Sequence, residues 1–324
     1  MIKTLRRITG KYMATPTEAL RLECGLPSLG TQINRLVMKA AEKAARLPEE
    51  HPRKIAYEKK QPPRLKKSSW RAKTNELRFF IPNMDDRAPM EYFEYPPWTD
   101  APCLEIYTSL EGVKSRMDDL QIRKEASIRR IEAVNADLTI YTDGSASGGT
   151  RMGGAGVVIT DGRADDPHVL ESIMKKGAIF TCSYEEEVNA MLIAAEWISH
   201  NCGGSERILI CTDSQSLCMA LESYNPETEG IRNLLRNHKK TIIVQWIPGH
   251  AGVPGNDLAD GVAKGMLDQP RPISYRSACM VINSTFQDII SHKRIAETYQ
   301  KYNAETEKEI QTKKDQVQLA RTIP

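Results

Sequence analysis

Leu138-Thr139-Ile140-Tyr141-Thr142-Asp143-Gly144-Ser145 is the stretch that decides the fold. Its side chains alternate as in a strand, and it ends at an Asp-Gly-Ser that signals a turn. Working outward, Gly156-Val-Val-Ile159 predicts a second strand and Lys176-Gly-Ala-Ile-Phe180 a third, joined as an antiparallel meander. Ser183 and Glu186 have capping-box spacing, and Ala190, Ile193, Ala194 and Trp197 give the following helix an apolar face. Arg207-Ile-Leu-Ile-Cys-Thr212 predicts a buried strand ending at Asp213, with a helix from Ser214. Thr241-Ile-Ile-Val-Gln-Trp-Ile247 predicts another strand, broken at Pro248-Gly-His250, and a last helix runs from about Gly255 to Gly265. The order βββαβαβα specifies an α/β fold, a mixed sheet covered by helices. The glycine-rich run Gly148–Gly156 leads into a strand rather than a helix, so it predicts a hairpin turn and not a dinucleotide loop.

The 324 residues allow about two domains. With 40% hydrophobic and 27% charged residues the chain is neither wholly disordered nor collagen-like. No run reaches the roughly 18 apolar residues of a membrane span, and the basic N-terminus lacks the apolar core of a secretory signal. Seven scattered cysteines without a CxxC pair predict reduced thiols in an intracellular protein, with nucleus and cytoplasm not distinguished. The net charge of +3 conceals an asymmetry: residues 1–75 carry 18 Lys+Arg against 6 Asp+Glu, so the rest of the chain is net acidic. A basic arm beside an acidic body points to polyanion binding in the first and cation binding in the second.

Four segments follow from the texture. Residues 1–48 read as a basic helical segment, with Ile33, Leu36, Val37 and Ala40 at helical spacing. Residues 49–135 read as a proline-rich basic linker, extended and poorly packed, followed by a charged helix. Residues 136–267 hold the α/β domain, and 268–324 form a polar, partly helical tail.

Four carboxylates occupy related places in this pattern. Asp143 and Asp213 are expected at strand ends, Glu187 in the first turn of the helix after the meander, and Asp260 in the final helix. An aspartate at a strand end is ordinarily a turn former or cap. Four converging acids are different, because like charges held close repel unless a cation neutralises them. Oxygen-only ligation favours Mg2+, with Mn2+ able to substitute, over zinc. Two such ions can activate water and stabilise the leaving oxygen of a phosphoryl displacement.

Tyr141-Thr-Asp-Gly-Ser145, Glu187-Val-Asn-Ala190, Thr212-Asp-Ser-Gln215 and Gly249-His-Ala-Gly-Val-Pro-Gly-Asn-Asp-Leu-Ala-Asp260 resemble, in order and spacing, the motifs of the ribonuclease H type 1 domain. The resemblance implies a mixed five-stranded sheet flanked by helices and a metal-dependent endonuclease that cuts the RNA strand of RNA/DNA hybrids. By motif position it implies Asp143, Glu187, Asp213 and Asp260 as metal-binding acids, with Asp143 bridging both ions, Asp213 and Glu187 serving one and Asp260 the other. His250 matches the mobile histidine assisting proton transfer or product release. Gly144, Ser145, Gln215 and Asn256 match positions that contact the hybrid. Ala190, three residues after Glu187, selects that acid over Glu185 and Glu186. Asp260, ten residues after His250, is selected over Asp257. Glu186 is then expected as a cap and Asp257 as surface charge.

Residues 138–267 carry 10 Lys+Arg against 16 Asp+Glu, and between Asp213 and Trp246 there is room for two short helices but not for the extra basic protrusion of some cellular members. Phosphate contacts supply much of nucleic-acid affinity, so the basic residues 1–75 are expected to supply the grip. Thr4-Leu-Arg-Arg-Ile-Thr-Gly10, Ala14-Thr-Pro-Thr-Glu-Ala-Leu20 and Glu23-Cys-Gly-Leu-Pro27 resemble the region after the reverse transcriptase core of non-LTR retrotransposon polyproteins. That resemblance implies a fragment of a larger element, with a reverse transcriptase domain of the same element as a partner. Lys293-Arg294 and Lys313-Lys314 in the tail read as solvated charge. Two alternatives stay open: a catalytically silent nucleic-acid-binding relic, and an integrase-like nuclease acting on DNA.

Overall fold

The computed structural model describes residues 2–10, 20, 24, 26–27, 29–59, 69–90, 104–113, 118–148, 151–201, 207–223, 225–236, 240–265 and 270–290. Most of the N-terminal motif 14–27 and both basic pairs of the tail lie outside them. The chain divides into two units, Met1–Asn83 with Ala278–Pro324, and Met84–Ser277.

The first unit contains α1 (Ile2–Thr9), α2 (Leu29–Ala45), α3 (Pro52–Glu58) and α4 (Trp70–Arg78). Ala41, Ala44 and Tyr57 pack together with Trp70, whose ring meets Tyr57 edge-on at 5.1 Å. Within the expected extended linker, residues 52–58 and 70–78 are helical instead. Pro52 stands at the start of α3, where its missing N–H costs nothing, and His51 and Ser69 cap α3 and α4 through their side chains.

The second unit is built on a six-stranded sheet in the order β1-β6-β5-β2-β3-β4. Its strands are β1 (Glu105–Tyr107), β2 (Leu138–Ser147), β3 (Arg151–Thr160), β4 (Val169–Lys176), β5 (Arg207–Thr212) and β6 (Thr241–Trp246). β2, β3 and β4 pair antiparallel, while β2, β5, β6 and β1 pair parallel. Four of the five expected strands are present where expected, and three residues of the supposed linker add β1 at one edge. The third strand of the meander is Val169–Lys176 rather than 176–180. β4 is an edge strand with mostly exposed side chains, so no apolar alternation marks it.

Helices cover both faces. α5 (Leu120–Val134) and α9 (Pro254–Ala263) lie on one side, and α6 (Ser183–Asn201), α7 (Gln215–Glu222) and α8 (Glu229–Arg236) on the other. The apolar runs of β5 and β6 alternate between the two cores. Ile208, Ile210, Ile242 and Val244 face α6–α8, whereas Leu209, Cys211 and Ile243 face Ile131, Val134 and Ala259. A strand buried on both faces needs this unbroken apolar sequence. α10 (Tyr275–Ile290) follows the domain, and no helix among the described residues is long and apolar enough to cross a membrane.

Candidate functional site

Register places the first two acids. The parallel pairing of β2 with β5 ends at Thr142 beside Thr212, so Asp143 and Asp213 follow as the next residues on neighbouring strands. Asp213 does lie just past the end of β5. Asp143 does not end β2, because that strand runs on to Ser147 against β3, with Asp143 opposite Gly156. Asp143 therefore stands where one of its strand's two neighbours stops.

Glycines bring in the helices. A Cβ at Gly144 would lie 2.1 Å from the Glu187 backbone nitrogen, so only glycine lets β2 touch the start of α6. The Gly144 N–H donates to the Glu187 carboxylate. Cβ atoms at Gly154 and Gly156 would meet the carbonyl oxygens of Ala263 and Ala259 at 2.3 and 2.4 Å, so α9 lies directly on β3 and delivers Asp260. Gly249 packs against Asp213, whose Oδ2 would be 2.3 Å from an added Cβ.

The result is a triad: Asp143, Glu187 and Asp213 offer carboxylate oxygens within 4.8 Å of one another. Asp143 and Glu187 are buried, and Asp143 Oδ2 and Glu187 Oε2 have no hydrogen-bonding partner among the described residues. Burial, with Asp213 and Asp260 nearby, pushes the Asp143 carboxyl up to about 7, against a smaller opposing pull from Lys264. Burial, then Asp213 and Asp143, pushes Glu187 well above the usual carboxylate range. Orphaned buried oxygens on mutually repelling acids are the electrostatic complement of a hard divalent cation. The donor set fits one.

The other predicted residues sit around this triad. Asp260 is half-buried, near enough to Asp143 to raise its pKa, and paired with Lys264 Nζ at 2.6 Å one helical turn on. His250 is exposed in the turn after β6 with φ 51°, a conformation a non-glycine residue rarely holds. Gly144 and Ser145 are half-buried on β2. The Gln215 side chain begins α7 and donates to the Thr108 carbonyl at 2.9 Å, beside β1. Asn256 is buried in α9, its Oδ1 without a partner among the described residues.

Asp257 is exposed, as a surface charge should be. Glu186 is not a cap. Ser183 is already inside the helix, and the Glu186 N–H donates to the Cys182 carbonyl. The fully buried Glu186 carboxylate accepts from Thr181 Oγ1 at 2.6 Å and from Arg271 Nη2 at 2.5 Å. Burial raises its pKa while Arg271 pulls it back. Sequence reasoning also passed over Lys264, although an Asp and a Lys four residues apart on one helix face are a readable pair. Arg271 has no such local signal.

Part of the chain is similar to known proteins. Residues 135–267 match the RNase H family model. Ribonuclease H of Chromohalobacter salexigens is 26% identical over 149 residues, covering 41% of this chain and 85% of that protein. Ribonuclease H of Desulforamulus reducens is 26% identical over 159 residues, covering 43% and 94%. Among solved structures, RNase H1 from Halobacterium salinarum NRC-1 is 20% identical with a TM-score of 0.33, covering 39% of this chain and 93% of that one. The foamy viral protease-reverse transcriptase in complex with dsDNA has the same identity and TM-score, covering 40% and 93%.

Proposed function

We infer the specific activity from one starting point: residues 135–267 match the RNase H family model, which supports a ribonuclease H enzyme. The reading is endonucleolytic hydrolysis of the RNA strand of RNA/DNA hybrids, dependent on two Mg2+ ions, in a retroelement context. One observation carries it: within the matched domain, three acids converge, with two buried oxygens that have no hydrogen-bonding partner among the described residues.

Asp143, Glu187 and Asp213 would hold one cation, and Asp143 with Asp260 a second. Bound divalent ions supply Lewis acidity that activates water and stabilises the leaving oxygen of an in-line displacement. Asp143 and Glu187 must be ionised to bind, so the protein's own task is to hold them deprotonated against their mutual repulsion. Lys264 assists, since its ammonium offsets charge on Asp260 and, more weakly, on Asp143. His250, exposed beside Gly249, which packs against Asp213, would carry a proton between site and solvent. An enzyme that cuts RNA and spares DNA must sense the 2′-hydroxyl, the task assigned to Gly144, Ser145, Gln215 and Asn256. The basic residues 1–75 would grip phosphates that the acidic domain attracts weakly, and a reverse transcriptase domain of the same element would present the hybrid.

The test is cleavage of an end-labelled RNA/DNA hybrid, a duplex DNA and a duplex RNA by the full chain, with Mg2+, Mn2+ or chelator. Metal-dependent products from the hybrid's RNA strand alone support the reading. Cuts in duplex DNA would replace it with the integrase-like alternative, and binding without cleavage with the silent relic.

A further inference from the structure

Three consecutive glutamates open α6, and each is treated differently. Glu187 faces the metal-binding acids, Glu185 accepts from Ser277 Oγ, and Glu186 is fully buried. The Glu186 pocket is constructed for a carboxylate. Added Cβ atoms at Gly153 and Gly177 would lie 2.7 Å from its Cγ and 2.3 Å from its Oε1, so two glycines provide the space. Thr181 Oγ1 donates at 2.6 Å, Asn189 Nδ2 at 3.4 Å, and Arg271 Nη2 at 2.5 Å.

Arg271 supplies the only full positive charge among these contacts and is itself fixed. Its Nε donates to the Lys176 carbonyl at 2.9 Å, its backbone N–H donates to the Gly177 carbonyl, and it bridges to Ala178 as a one-residue extension of the sheet. One planar guanidinium thus ties the end of β4 to the first turn of α6, which a point-charge ammonium cannot do through two directed bonds. The residue lies four positions beyond the end of the matched domain at 267.

We propose that Arg271, acting through Glu186, is a positioning residue for Glu187: it fixes the first turn of α6 and so sets the aim of the metal-binding carboxylate, making residues beyond the matched domain part of the working enzyme. The inference rests on the proposed function for its meaning. Removing the arginine leaves a buried carboxylate without its counter-charge, and the nearest way to re-solvate it is to loosen the turn that also carries Glu187. Residues that orient metal-binding groups in this manner typically change metal affinity by about 10- to 100-fold.

The test compares the full chain with R271A and R271K. Amide hydrogen exchange over residues 184–188 is measured without metal, Mn2+ affinity by calorimetry, and hybrid cleavage as a function of Mg2+. R271A should speed exchange in that turn, weaken Mn2+ binding about tenfold, and raise half-activating Mg2+ by a similar factor, with turnover at saturating Mg2+ much less affected. R271K should fall between R271A and the unaltered chain. Unchanged Mn2+ affinity in a folded R271A overturns the proposal, even if its melting temperature falls, because the arginine would then be merely structural. If R271A does not fold, unchanged Mn2+ affinity in R271K overturns it equally. Should the unaltered chain bind Mn2+ but cut no hybrid, the proposed function fails while the exchange and affinity results still decide this inference.

Discussion

Glu186 and Glu187 are neighbours in the chain, both are buried, and they face opposite fates. Glu186 lies in a closed pocket where a hydroxyl and a guanidinium use its oxygens. Glu187 lies in an open cluster with an unpartnered Oε2 and two further acids within 4.8 Å. The closed pocket is electrostatically finished by the protein alone. The open cluster is finished only when something positive arrives from outside. Burial alone therefore does not mark a functional acid; burial without a counter-charge does.

The largest expected effect comes from breaking the open cluster. D213N should lower hybrid cleavage by about 10³-fold or more, because the acids act as a unit. Hybrid binding, read by fluorescence anisotropy, should stay measurable, and retained turnover would show that the metal site lies elsewhere.

G249A tests the same cluster through its packing. The new Cβ would stand 2.3 Å from Asp213 Oδ2, so the carboxylate must move. A displacement of about an ångström in a catalytic group costs on the order of 10²-fold, and turnover should fall by that factor with little change in melting temperature.

The third prediction concerns pH. The Asp143 pKa is raised to about 7 in the fold, above the usual carboxylate value near 4. Its favourable contribution to metal-free stability is therefore complete below about pH 4 and lost as pH rises through about 7. Thermal unfolding in chelator should show this decline, Mg2+ should reverse it, and D143N should flatten it. At pH 8 without metal, D143N should melt higher than the unaltered chain by roughly 5 °C. No difference would mean that the acids are less crowded than their geometry states.

The smallest effect is assigned to Lys264. It is an exposed partner of Asp260, and exposed pairs contribute little. K264M should change the half-activating Mg2+ concentration by about threefold or less, an effect that grows at low ionic strength.

The contrast also separates what a sequence can carry from what it cannot. The central strands were readable because strands buried on both faces must be apolar throughout, as Arg207–Thr212 and Thr241–Trp246 are. The triad acids were readable because strand ends and helix starts are local signals, and the four motifs supplied the rest. Both sheet edges escaped notice: β1 is three residues long, and β4 is largely exposed. Glu186 was misread for a subtler reason. Ser183 and Glu186 satisfy the local capping pattern, but the pocket that claims Glu186 is made by Gly153, Gly177 and Arg271, the last 85 positions downstream. Local spacing cannot register a partner that only the finished fold brings near.

The register that places Thr142 beside Thr212 also governs when the site comes into being. The β2–β3–β4 meander closes through short connections and holds one aspartate of the triad. The other arrives only when β5 zips parallel to β2, a pairing across 70 positions that must first meet the entropy of closing a long loop. A chain in which only the hairpins had closed would lack the Asp143–Asp213 pairing and so, on the proposed function, the cation site. A divalent ion that binds only the completed arrangement would act as a clasp on that last pairing, slowing its reopening rather than hastening its formation.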